Sequence, residues 1–178
     1  GSYLSKTITT EVERVWDDPQ RAPGNERVRM RRVALRADGE GEKITVRTPL
    51  LIELEYSVFR DGLELEPRID LYNIQGVHIF SSGPVISGHR GRRLFSPGLY
   101  RTVCRVPGDL LNEGTHRIDI SIIQSQKNAV VRIKEALSFE VAHAMDRRGE
   151  YFGRWPGAVH PLLEWKTEKV EEVVATGP

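Results

Sequence analysis

Cysteine is nearly absent from the sequence. Cys104 is the single one among 178 residues, which excludes an internal disulfide, gives no hint of a metal site, and suits a reducing compartment. The five histidines, His78, His89, His116, His143 and His160, are scattered with no i, i+4 pair, so no metal centre is expected. Net charge is also lacking. Lysine and arginine total 26 against 25 aspartates and glutamates, so no overall field draws the molecule toward nucleic acid or an anionic membrane. No apolar run approaches the ~20 residues of a membrane helix, and no signal peptide precedes the first strand. There is no G-x-x-x-x-G-K-[ST] loop to hold ATP phosphates, and no other cofactor motif.

What is present is alternation. Residues 115–142 are the clearest case. Ile118, Ile120 and Ile122 alternate with Arg117, Asp119 and Ser121, a period of two that puts branched apolar side chains on one face of a strand. A short polar stretch, Gln126-Lys127-Asn128, follows as a hairpin connection. The second limb carries Val131, Ile133, Leu137, Phe139 and Val141, all on odd numbers, which implies one phase along its whole length. Two long antiparallel strands result, and their apolar face demands a second sheet.

The rest of the chain supplies it. Residues 27–37 form a strand whose apolar phase moves from Val28 and Met30 to Val33 and Leu35, implying a bulge near Arg31-Arg32. Its arginines have no accompanying aromatic platform, which argues against single-stranded nucleic acid. Further strands are expected over 50–60, 67–79 (with a break at Gly76) and 99–106, and a short last one over 161–166. Residues 81–97 read as a loop with a cationic core from Gly88 to Arg93. Trp16 reads as an anchor that packs the leader onto the domain. The organisation expected is a leader with a tag-cleavage scar over 1–25, a sandwich over 26–166 and a frayed tail over 167–178. Seven or so strands with hardly a helix indicate an all-β fold, an antiparallel sandwich of immunoglobulin or jelly-roll type.

Catalysis finds little footing. Glu53 and Glu55 lie ~7 Å apart on one strand face, given a rise of ~3.3 Å per residue. Arg101 and Arg105 alternate on another strand, so a cross-strand ionic ladder accounts for the carboxylates better than acid/base chemistry. Cys104 points inward with no adjacent histidine, as a small core residue.

Four stretches, in this order and spacing, resemble a known family. They are Trp16 with Ala22-Pro23-Gly24-Asn25, then Val106-Pro107 with Leu110-Leu111-Asn112-Glu113-Gly114, then Leu137-Ser138-Phe139-Glu140-Val141, then Gly157-Ala158-Val159-His160-Pro161 with Trp165. The family is the C-terminal domain of Wzt-type subunits, the ATP-binding components of ABC exporters for O-antigen and related polysaccharides. The resemblance covers about residues 16–165. It implies a non-catalytic sandwich that binds a lipid-linked, O-antigen-like glycan awaiting export, in a dimer whose last strand can cross to the partner. It also implies a cytoplasmic position beside the inner membrane, contact with a membrane permease through the ATPase domain, and a nucleotide-binding domain N-terminal to Gly1. The opening Gly1-Ser2, read as a tag-cleavage scar, fits an excised domain.

In an immunoglobulin-like order, the strand around Asp70 would sit beside the central hairpin. Its outward residues Arg68, Asp70 and Tyr72 would then neighbour Arg117, Asp119 and Ser121. Sugars offer hydroxyls to polar groups and an apolar C–H face to a ring, so this face is the expected glycan site. A protein-interaction or adhesion sandwich is the competing reading, since a fold does not fix a function.

Overall fold

The computed structural model describes residues 10–39, 41, 43–84, 94–144 and 155–170. These form nine strands and no helix: β1 (Glu13–Val15), β2 (Val28–Ala37), β3 (Leu50–Val58), β4 (Leu63–Asn73), β5 (His78–Ser82), β6 (Leu94–Phe95), β7 (Gly98–Val106), β8 (Gly114–Gln124) and β9 (Asn128–Val141). One sheet has the order β1-β2-β3-β7, the other β5-β4-β8-β9, with β6 beside β4. All pairs between these strands are antiparallel.

Alternation explains the layering. Ile52, Leu54, Tyr56 and Val58 of β3 meet Ile69 and Leu71 of β4, Ile118, Ile120 and Ile122 of β8, and Val131, Leu137, Phe139 and Val141 of β9 in one continuous core. Each such side chain taken fully out of water contributes roughly 1.5–3 kcal/mol. The polar tip of Tyr56 is satisfied within this layer: its hydroxyl is 2.8 Å from Thr102 Oγ1. Cys104 is half-buried on β7, and desolvation pushes its thiol pKa up, away from nucleophilic behaviour.

The leader joins both sheets. Glu11 and Ser138 of β9 exchange two backbone hydrogen bonds, at 3.0 and 2.9 Å, while Leu35 of β2 donates to the Val12 carbonyl at 2.8 Å. Trp16 packs against the core from this segment, with Arg14 5.1 Å over its ring. The corner that follows depends on Gly24. Its φ is +136°, and a Cβ there would meet the Val28 carbonyl oxygen at 2.0 Å. Asn25 Oδ1 accepts from the Arg27 and Val28 amides at 2.8 and 3.1 Å, closing the turn into β2. The bulge expected near Arg31-Arg32 occurs between Met30 and Arg32.

Four expectations need correcting or refining. The strand expected over 67–79 is two strands. β4 begins at Leu63, immediately after the Asp61-Gly62 turn, and β5 returns after a tight turn in which Asn73 Oδ1 accepts from the Val77 amide at 2.9 Å. Part of the loop expected over 81–97 is sheet, namely the end of β5 and all of β6; the Gly88–Arg93 core lies outside the described residues. The second limb of the hairpin is not one unbroken ladder, because Ile118 pairs with Leu137 but Ile120 with Ile133. Two extra residues of β9 are looped out there, with Glu135 at φ 49°. Finally, 161–166 is not a strand: it pairs with no sheet among the described residues and is exposed throughout.

Candidate functional site

The outer face of the β5-β4-β8-β9 sheet brings the six expected residues together in three direct cross-strand pairs. Arg68 faces Ser121, Asp70 faces Asp119, and Tyr72 faces Arg117. All six side chains are half-buried. Alternation on β4 and β8 places them there: their chain neighbours Ile69, Leu71, Ile118, Ile120 and Ile122 are held in the core, so the intervening residues must point out.

Two like charges opposite one another, Asp70 and Asp119, would repel. Each has donors of its own. Asp70 Oδ1 accepts a short hydrogen bond from Ser81 Oγ and lies 3.2 Å from His78 Nε2. Asp119 Oδ1 accepts from the Glu135 backbone amide at 2.8 Å. The Arg117 guanidinium lies 4.6 Å over the Tyr72 ring and donates to Glu135 at 3.2 Å. His78 stands beside the same ring, with centroids 5.0 Å apart. Tyr72 is therefore held between a guanidinium and an imidazole. Arg68 has no hydrogen-bond or ion-pair partner among the described residues, and its Nε and that of Arg117 are buried without acceptors.

His78 and Ser81 belong to this site but were not legible in the sequence. A bulge pairs Leu71 with Phe80 but Tyr72 with His78, so two residues three apart face the same way. A serine, a histidine and an aspartate in contact invite a hydrolase reading, but the geometry opposes it. One ring nitrogen, Nε2, faces both Ser81 Oγ (3.0 Å) and Asp70. A relay needs the two nitrogens to serve the two partners separately. Here the three groups close a triangle in which the serine already donates to the carboxylate. The arrangement is an exposed polar platform with hydroxyl, carboxylate and guanidinium groups in fixed positions.

The opposite sheet face is self-satisfied. Glu55 meets Arg101 at 2.9 Å, and Glu53 meets Arg32 at 3.2 Å and Arg36 at 3.1 Å. The ladder expected from Glu53, Glu55, Arg101 and Arg105 thus draws in β2 as well, and Arg105 pairs with Asp38 at 2.8 Å. Burial opposes ionisation of Glu53, but hydrogen bonds from Arg32 and Arg36 outweigh it and hold its carboxyl below the usual glutamate range.

A second polar feature lies at the end of the sandwich. Trp155, Pro156 and Gly157 face Asn73 and Gln75 across a cleft of about 310 Å³. The buried Asn112 fixes this loop, donating from Nδ2 to the carbonyls of Trp155 and Gly157, both at 2.6 Å. Leu111 bridges Val159, and the His160 amide donates to the Leu110 carbonyl at 2.8 Å. The second and fourth of the family-like stretches therefore hold each other in place.

No family model matches the sequence, and no curated protein matches it. Among solved structures, the crystal structure of the C-terminal domain of Wzt superposes with a TM-score of 0.62 at 17% identity, over 82% of this chain and 86% of that one. A structural-genomics target, SoR45, gives a TM-score of 0.31 at 12% identity, over 72% of this chain and 96% of its own. The chain thus has the antiparallel β-sandwich fold of the C-terminal domain of Wzt.

Proposed function

We propose that this chain is a non-catalytic carbohydrate-binding module that selects an O-antigen-like, lipid-linked polysaccharide for an ABC exporter. The site is the outer face of β4 and β8, formed by Arg68, Asp70, Tyr72, Arg117, Asp119 and Ser121. The observation that carries the reading is the set of three cross-strand pairs, in which carboxylates, guanidinium groups, hydroxyls and one ring form a single half-buried platform. Sugar hydroxyls both donate and accept, and such a mixed surface can serve both roles. The likeness of fold to the Wzt domain is in keeping with it.

The wider setting follows from the same reading. The module works beside the cytoplasmic face of the inner membrane, joined to an ATPase domain that engages a permease. It acts as a homodimer with exchanged C-terminal segments. Leu162, Leu163 and Trp165 are largely exposed and belong to no sheet formed by the described residues. Among the described residues no strand pairs with the outer edge of β7, and Leu99 and Val103 are exposed on that strand. An extended arm added to that edge would satisfy both. Two shallow sites on one dimer would then grip a repeating polymer more tightly than either alone.

A glycan array probed with the purified protein tests the central reading. Binding to a bacterial polysaccharide is expected, together with a roughly tenfold loss in Tyr72→Ala, equivalent to about 1.4 kcal/mol. Unchanged affinity in Tyr72→Ala and in Arg68→Ala would move the site off this face.

A further inference from the structure

On the sheet face, the Tyr72 ring is already occupied by Arg117 and His78. A sugar ring laid flat on a wider, more open aromatic plane needs a second ring. Trp155 provides one. Its indole stacks on the His160 imidazole at 4.6 Å with planes 5° apart, yet 42% of the residue stays exposed and it lines the cleft. The two-fifths of this large side chain that faces water is apolar surface the fold leaves uncovered. The holding is nonetheless firm. Asn112, 3% exposed, ties the carbonyls on either side of Pro156. Gly157, at φ +98°, lets the chain turn beneath the ring.

The opposite wall is polar and uncharged. Asn73 uses its Oδ1 on the Val77 amide, which fixes the carboxamide and leaves its Nδ2 as a donor with no partner among the described residues. Gln75 stands exposed at the tip of the same turn and adds a donor and an acceptor. An indole floor, two carboxamides and no ionisable group among the described lining residues make up the chemistry of a neutral pyranose site. A volume of about 310 Å³ lies within the range of small-ligand sites.

We infer that the cleft between the β4–β5 turn and Trp155 binds one uncharged pyranose residue, as a second subsite separate from the sheet face. The ligand class rests on the carbohydrate reading above, but the site does not depend on the sheet face being used. Both lie toward the same end of β4, where Tyr72 and Asn73 are consecutive, so one polymer can engage both.

The test is a titration of the isotope-labelled protein with methyl glycosides of glucose, galactose and mannose at millimolar concentration, followed by NMR. The chain has three tryptophans, so the Trp155 indole signal is identified by its loss in Trp155→Phe. A saturable shift of that signal and of the Asn73 and Gln75 side-chain amides is expected with at least one glycoside. Apparent affinity should fall at least tenfold in Gln75→Ala or Trp155→Ala and stay unchanged in Arg101→Ala, on the opposite sheet. Methyl glucuronide should bind no better than its neutral parent. Shifts confined to the Tyr72 and Arg117 region would overturn the cleft while sparing the sheet-face site. Shifts confined to the cleft would uphold the inference and count against the sheet face. No shift at either place would remove both.

Discussion

Asp119 on β8 reaches across to β9 and accepts the backbone N–H of Glu135 at 2.8 Å, where two residues of β9 leave the ladder. Glu135 is held at φ 49°, a conformation that side chains other than glycine seldom adopt. The carboxylate therefore supports the looped-out residues as well as contributing charge to the platform.

Replacing it should cost stability, unlike replacing Tyr72. Asp119→Ala is expected to lower unfolding free energy by about 1.5 kcal/mol, the usual worth of a charged acceptor on a backbone donor. Asp119→Asn, which keeps an acceptor, should lose less than half of that. Denaturant melts of the two variants decide it; equal and negligible losses would show that β9 holds its bulge unaided.

Glu53 should make the protein sensitive to acid. Its carboxyl is held below the usual range when folded, so its ionised form stabilises the fold above the unfolded-state pKa, near 4.3. That contribution is lost as pH falls from about 4.3 through the folded value. Glu53→Gln is expected to cost about 1 kcal/mol at pH 7 and to flatten the fall in melting temperature below pH 4.5, because Arg32 and Arg36 lose their shared anionic partner. Parallel pH profiles for parent and variant would show that the carboxylate contributes nothing in the folded state.

The exposed arm should govern association. Ending the chain after His160 removes Leu162, Leu163 and Trp165 but keeps the bridge between Leu111 and Val159. Light scattering is expected to give a dimer for the full chain and a monomer for the shortened one, with similar melting temperatures at low concentration. A shortened chain that still dimerises would place the interface elsewhere.

Much of this architecture can be read from alternation, and the limits of that reading have physical causes. The odd-numbered run from Val131 to Val141 hides a bulge because the insertion is of two residues. An even insertion restores the phase, so the apolar pattern passes through it unchanged. On β5 an insertion of one residue does the opposite: it puts His78 and Ser81 on one face where strict alternation would separate them. The six expected site residues were legible because β4 and β8 keep their register from Leu65 to Asn73 without interruption. Trp155 was not, because its position depends on Asn112, 43 residues earlier in the chain, and no local period records such a contact.

The two-sided bonding of the leader has a consequence for how the sandwich comes apart. Glu11 closes on β9 while Val12 and β1 close on β2, so a single short segment spans the gap between layers. Peeling it away would uncover the rims of both layers in one event. Any force or partner acting on the chain ahead of residue 11 is thereby transmitted first to β9, the strand whose neighbour carries Asp119.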